Sequence, residues 1–198
     1  MAAASFSRNT FHIVIDMQRL FAEETAWHTP AIARILPNVI ALSEARPDNT
    51  VFARFVVPQT ASHAKGRWKN YYSRWSSVTL DEIDIGMLDL VEPLAAIARP
   101  QSIVDKETYS VFGSTGFTQR LEAADIDTLI FSGVETDVCV YASVLDAVDA
   151  GYRVILAADA LASSDIDAHT VILEKLAPRL SEQIDILSTA TILDQWQD

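Results

Sequence analysis

Residues 128–160, TLIFSGVETDVCVYASVLDAVDAGYRVILAADA, carry strand, helix and strand in immediate succession. Thr128 to Ser132 is an apolar, β-branched run too short to be a helix. From about Asp137 to Ala150, Val140, Val144, Leu145 and Val148 recur on one helical face, and Gly151 suits the C-terminal stop. Tyr152 to Ala157 is again a strand. The same alternation extends in both directions. Upstream, Phe11 to Asp16 and Thr50 to Val57 read as strands, the second ended by Pro58. Between them, Thr29-Pro30 opens a helix marked by Ile32, Ile35, Leu36, Val39 and Ile40. Met87, Leu88, Val91, Leu94 and Ala95 predict another helix, followed by the strand Ser102 to Asp105 and a helix from Thr115-Gly116 carrying Phe117, Leu121 and Ala124. Downstream come a helix over Ile166 to Leu176, the strand Ile184 to Leu187 and a short helix from Ala190 to Trp196. Six strands alternating with helices predict an α/β fold: a three-layer α/β/α sandwich around a mostly parallel six-stranded sheet. Residues 1–198 are expected to form a single domain, with 1–10 a disordered N-terminus.

Composition narrows the function. A chain of 198 residues, 49% of them hydrophobic, can bury roughly 70% of its unfolded surface without a disulfide or metal, and it is too apolar to stay disordered. Fifteen basic against 27 acidic residues give a net charge of −12, which disfavours nucleic acid because phosphate binding needs a basic face. The start, MAAASFSRNT, lacks the apolar stretch of a signal peptide, and no apolar run approaches a membrane span. The single cysteine excludes an internal disulfide and suits a reducing compartment. A cytoplasmic protein acting on a small molecule is expected, with neither nucleic acid nor membrane as partner.

In such sheets ligands bind beyond the carboxyl ends of the strands. Those ends carry Asp16, Asp105-Lys106 and the segment GVETDVC, which places an acid, an amine and a thiol on one rim. Cys139 lies in the first turn of a helix with Thr136 as its expected cap. The free N–H groups and the helix dipole there favour a thiolate and suit a developing oxyanion; a buried structural cysteine is the alternative. Asp137 opposes a thiolate, so a cationic partner is required. Lys106 fills that role, unless it merely snorkels from the sheet edge. Asp16 is either a loop cap or an active-site group. Together the three match nucleophile, electrostatic partner and base. The first strand-to-helix turn, DMQRLFAEE, has no glycine to let a pyrophosphate approach, which excludes dinucleotide binding.

The segments VIDMQRLF (Val14 to Phe21), VDKETYSVF (Val104 to Phe112) and Ser132 to Ala160 closely resemble the isochorismatase-like cysteine hydrolase superfamily. That superfamily includes nicotinamidases, N-carbamoylsarcosine amidohydrolases, ureidoacrylate hydrolases and biuret hydrolases. The resemblance implies Asp16 as catalytic acid/base, Lys106 as active-site lysine and Cys139 as nucleophile. It also implies a cis peptide between Val134 and Glu135, and an oxyanion hole made of the backbone N–H groups of Glu135 and Cys139. The implied reaction is hydrolysis of a small-molecule C–N bond, in an amide, carbamoyl or ureido group, through a thioester on Cys139. Homodimers or homotetramers are typical of the superfamily. An isochorismatase-type vinyl-ether hydrolase would leave the thiol idle, and a catalytically silent binding protein on the same fold would not need all three residues.

Nicotinamidases of this superfamily usually bind a divalent metal through an Asp-x-His pair and another histidine after the second strand. Here that stretch reads RFVVPQTASHAKGRW, with Arg54 where an acid is expected and His63 its only histidine. His12, His28 and His169 lie elsewhere, and His12, inside a strand, reads as a core or edge residue. No metal and no cofactor are expected. The segment GRWKNYYSRW (Gly66 to Trp75) is aromatic and basic. It suits either a pocket wall for a small planar or anionic substrate or a subunit interface, with Trp75 turned to the pocket. Gln18, Phe21 and Tyr109 are further candidate substrate contacts, Phe112 is a possible wall, and the Glu135 side chain has no assigned task. Exhaustive chelation is expected to leave turnover intact; activity that disappears with chelator and returns with a divalent ion would overturn the metal-free reading.

Overall fold

The computed structural model describes residue 6 and residues 9–196. Its sheet has six strands: β1 (Thr10–Ile15), β2 (Thr50–Phe55), β3 (Ile103–Lys106), β4 (Thr128–Gly133), β5 (Arg153–Leu161) and β6 (Ile184–Leu187). They lie in the order β3-β2-β1-β4-β5-β6, and every neighbouring pair is parallel. Such a sheet needs helices on both faces, which is why every residue of TFHIVI and TLIFSG is buried. The covering helices are α1 (Arg19–Ala22), α2 (Ile32–Ala45), α3 (Trp68–Arg74), α4 (Glu92–Ala95), α5 (Phe117–Ala123), α6 (Tyr141–Asp149), α7 (Ile166–Val171) and α8 (Thr189–Gln195). No helix among the described residues is long and apolar enough to cross a membrane.

The chain first builds outward from β1 to β3 and then restarts on the other side with β4. The order therefore reverses at β1 and β4, and a crevice opens beyond their carboxyl ends. Two backbone features shape it. Asp16, just past β1, adopts a left-handed conformation with φ 52°. Gly133, closing β4, has φ 104°, and a Cβ there would run into the Ile15 carbonyl oxygen. Only glycine lets the two strand ends approach so closely.

Several elements differ from their sequence expectation. The helix expected over Met87 to Ala95 is a 3₁₀ turn at Ile85–Leu88 followed by the single-turn α4. Between them Leu90 is drawn out as an antiparallel bridge partner of Gln18. The helix expected over Ile166 to Leu176 ends as α7, then widens at Ile172–Leu176 into an i→i+5 turn and tightens into a 3₁₀ turn at Ala177–Leu180 around Pro178. At the start, Thr10 already belongs to β1, and Phe6 is buried with its N–H donating to the Gln195 carbonyl at 3.0 Å. The remainder of the expected disordered N-terminus, residues 1–5, 7 and 8, lies outside the described residues.

His12 sits in the middle of β1, fully buried, with Nε2 2.7 Å from the Ser132 hydroxyl. Its Nδ1 has no hydrogen-bond partner. Burial pushes its pKa down to about 3, so the fold holds it neutral. A depressed pKa contributes stability that is complete above the unfolded value of about 6.5 and is lost as pH falls towards 3. The fall in thermal midpoint between pH 7 and pH 4 is therefore expected to be smaller in His12→Gln than in the parent chain. Equal falls would show that His12 plays no part in acid sensitivity.

Candidate active site

Three strands deliver the reactive groups. Lys106 ends β3 and Asp16 follows β1, with β2 between them. Both side chains are fully buried, and Lys106 Nζ donates to Asp16 Oδ2 at 2.9 Å. The ammonium also donates to the Thr108 carbonyl at 3.3 Å and sits 4.3 Å from the centre of the Phe55 ring. A buried ammonium is tolerable only with such partners. The other carboxylate oxygen, Oδ1, is buried without a completed hydrogen bond. The Cys139 thiol is a side-chain hydrogen-bonding neighbour of Asp16 and Lys106. The acid, amine and thiol predicted to share one rim thus form one cluster.

The segment carrying Cys139 differs from the expected helix start. Thr136–Val140 forms a wide i→i+5 turn before α6 begins. The Glu135 carbonyl accepts the N–H groups of Val138 and Val140, each at 3.1 Å, and passes over that of Cys139. Such widened turns often mark functional sites. Thr136 does not cap the turn as expected. Its hydroxyl donates to the Ala162 carbonyl at 3.0 Å, because β5 runs on to Leu161 and brings that carbonyl beside it. The Val134–Glu135 peptide is cis, and the Glu135 N–H has no acceptor among the described residues.

The resting state of the thiol is also a correction. Burial pushes the Cys139 thiol well above the ordinary range, the Asp16 charge adds to the rise, and Lys106 only partly opposes it. A helix start favouring the thiolate is overridden by a neighbouring carboxylate in a dry site. The Asp16 carboxyl is itself raised, chiefly by burial, with Lys106 and then the Cys139 hydrogen bond pulling it back. Burial thus holds both groups back from ionising, with Lys106 opposing it at each.

A cavity of about 220 Å³ opens over Cys139. Phe21, Trp75 and Tyr109 line it, as expected from the sequence. Gln18 does not. Its amide nitrogen donates to the Phe55 and Leu88 carbonyls at 3.1 and 2.8 Å, and its carbonyl accepts the Phe55 N–H at 2.6 Å. It is a structural tie between β2 and the chain before α4. Phe112 packs instead on Phe117 and Tyr152, with ring centres 5.1 and 6.1 Å away. The aromatic segment splits by side chain: Trp68 and Tyr71 pack on the core and Tyr72 lies within it, whereas Arg67, Lys69 and Arg74 are exposed. The wall is therefore aromatic and not basic. His63 lies outside this cavity, with Nδ1 2.8 Å from the Thr60 hydroxyl, and Arg54 pairs with Asp105 at 2.8 Å.

Sequence reasoning missed Trp27, His28, Phe55 and Ser164 in the lining, while Tyr71, of the segment expected to form a pocket wall or an interface, lies in it. It also missed the Glu135 carboxylate, which accepts the Ser164 N–H at 2.9 Å and the Thr29 hydroxyl at 3.3 Å. The sequence signal for Trp27 and His28 was their place in the first connection after β1, at the same crevice as Asp16.

The acid, the amine and the thiol meet at the switch point of a parallel α/β sheet, where such folds bind their ligands. The isochorismatase domain family matches residues 10–188, and the chain belongs to that family of hydrolases. It is 33% identical over 172 residues to maleamate amidohydrolase of Pseudomonas putida, covering 83% of this chain and 77% of that one. A probable inactive nicotinamidase of Arabidopsis thaliana is 30% identical over 169 residues, covering 82% of this chain and 85% of the relative. A cysteine hydrolase from Pseudomonas syringae pv. phaseolicola superposes with a TM-score of 0.80 at 26% identity, over 98% of each chain.

The raised thiol makes a measurable claim. Alkylation of Cys139 by iodoacetamide is expected to have a pH midpoint above the ordinary thiol value of about 8.5. Asp16→Asn should lower that midpoint, because Lys106 then faces the thiol without the competing carboxylate. A midpoint unmoved or raised by the substitution would disprove the coupling.

Proposed function

We propose that this hydrolase cleaves the C–N bond of a small amide, carbamoyl or ureido compound, with Cys139 as nucleophile. The observation that carries the reading is the fully buried Asp16–Lys106 pair beside Cys139 at a small cavity that Cys139 lines. Cys139 Sγ adds to the substrate carbonyl carbon as its proton passes to Asp16. The carbonyl oxygen takes the developing negative charge against the N–H groups of Glu135 and Cys139. The C–N bond breaks while the Asp16 proton moves to the leaving nitrogen, leaving a thioester. Water then gives a proton to Asp16 and adds to that thioester. The C–S bond breaks, the acid leaves, and the sulfur recovers the proton. Lys106 keeps Asp16 ionised between these transfers and holds its orientation.

Phe21, Trp75 and Tyr109 are the proposed substrate contacts. Maleamate amidohydrolase and the cysteine hydrolase, among the similar proteins, support a C–N bond and a thiol nucleophile. The relative named as inactive supports the silent-binding alternative, against which stands the intact cluster of Asp16, Lys106 and Cys139. The remaining parts of the reading are a cytoplasmic location, which keeps the chain's only thiol reduced, and assembly as a homodimer or homotetramer.

A screen of small amides, carbamoyl and ureido compounds beside isochorismate tests this. On any substrate found, Cys139→Ala is expected to lose at least about 10³-fold in kcat/KM, by analogy with loss of an activated nucleophile. Intact mass of the acid-quenched parent enzyme should show the acyl group on Cys139. Full turnover by Cys139→Ala would defeat the mechanism, and hydrolysis of isochorismate alone would favour the vinyl-ether alternative.

A further inference from the structure

Half of the residues that line the cavity over Cys139 are aromatic. Phe21, Trp27, Phe55, Tyr71, Trp75 and Tyr109 supply aromatic surface. Among the described residues, no lysine or arginine lines it, and Glu135 is its one acidic member. The Lys106 charge beneath is matched by Asp16 at 2.9 Å, so it adds no net positive charge to the site. The Glu135 carboxylate is met only by neutral donors, the Ser164 N–H and the Thr29 hydroxyl, both on Oε1. The cavity thus joins six aromatic residues to one acidic residue and no lysine or arginine, in a chain of net charge −12.

Aromatic faces and a carboxylate are the two protein groups that attract organic cations, and a small cavity lined by both excludes anions. The wall already shows the interaction, since the Lys106 ammonium sits 4.3 Å from the Phe55 ring centre. Phe55 is therefore occupied, and Arg74 lies 5.2 Å from the Trp75 ring centre from an exposed position. Phe21, Trp27, Tyr71 and Tyr109 pack on one another, Phe21 stacked on Trp27 with centres 5.8 Å apart at 19° and Tyr71 edge-on to Tyr109 at 6.3 Å, and line the cavity with no cation at their rings among the described residues.

We propose that this pocket recognises a small organic cation, so that the uncleaved part of the substrate carries a positive charge, in the manner of a quaternary ammonium or an alkylated ring nitrogen. The assignment rests on the cavity over Cys139 being the substrate site, as in the function proposed above. It excludes amides whose remaining part is a carboxylate, although one similar protein is named for such an acid amide.

The test uses the intact chain and a matched series of probes: choline, its uncharged tert-butyl isostere, and the corresponding tert-butyl carboxylate. Binding is read by tryptophan fluorescence and by protection of Cys139 from alkylation. Choline is expected to bind about 3- to 30-fold more tightly than the uncharged isostere, the range of a partly desolvated cation–π contact, and the carboxylate more weakly than either. Glu135→Gln should shrink the ratio of choline to isostere, whatever it does to turnover. His28 also lines the cavity, and His28→Gln should leave the order of the three unchanged. An isostere as tight as choline, a carboxylate that binds best, or no binding of choline would overturn the assignment. Because binding is measured directly, a failure of amide hydrolysis with the cation preference intact would count against the proposed reaction and not against the cation pocket.

Discussion

Lys106 and Asp16 meet 2.9 Å apart with no exposure to water, and the surrounding architecture is organised around keeping them so. Separating such a pair by removing one partner typically costs several kcal/mol, because the other charge is stranded in a dry interior. Each partner is fixed by its own strand end, and the strand between them contributes Phe55, whose ring lies against the ammonium. Gln18 in turn binds the Phe55 backbone from both sides, so the segment after β1 is locked to the end of β2. The buried pair thereby sets the geometry of the sheet's carboxyl edge.

That edge is completed from the other side of the reversal in strand order. Gly133 lets β4 approach the end of β1 without a side chain between them, and the turn that follows carries Cys139 into contact with Asp16. The hydrogen-bonding pattern of that turn is unusual for a reason visible in the backbone. The Glu135 carbonyl serves two N–H groups on either side of Cys139 and leaves the cysteine's own outside the pair. The thiol is therefore placed by backbone bonding and not by a side-chain cap.

The strand ends and the meeting of Asp16, Lys106 and Cys139 at one edge were legible in the sequence, because short β-branched runs in a fully covered parallel sheet leave a polar residue conspicuous wherever one occurs. Asp16 and Lys106 stand out against FHIVI and SIV for that reason. The interruptions were not legible. Apolar spacing near Met87 fits a helix, and only the pairing of Leu90 with the distant Gln18 breaks it. The role of Gln18 itself was misread for the same cause: its position beside Asp16 suggested substrate, while its partners lie on two other segments. Trp27 could not be assigned to the cavity, and Tyr71 stayed open between pocket wall and interface, since helical spacing says which face a residue shares but not which distant loop it meets. The segment around Trp68 illustrates this limit, having its rings inside and its cations outside.

The contrast between what the strands carry and what the connections carry has an evolutionary consequence. The groups that would break a bond are Asp16, Lys106 and Cys139, anchored at strand ends or in the turn that leaves one. Most of the cavity's rings come from elsewhere: Phe21 and Trp27 before α2, Tyr71 and Trp75 in and after α3, Tyr109 beyond β3. Connections accept substitutions and length changes that strands in a covered sheet cannot. A lineage built on this plan can exchange one clientele of small molecules for another by rewriting three loops, while the machinery beneath is inherited untouched.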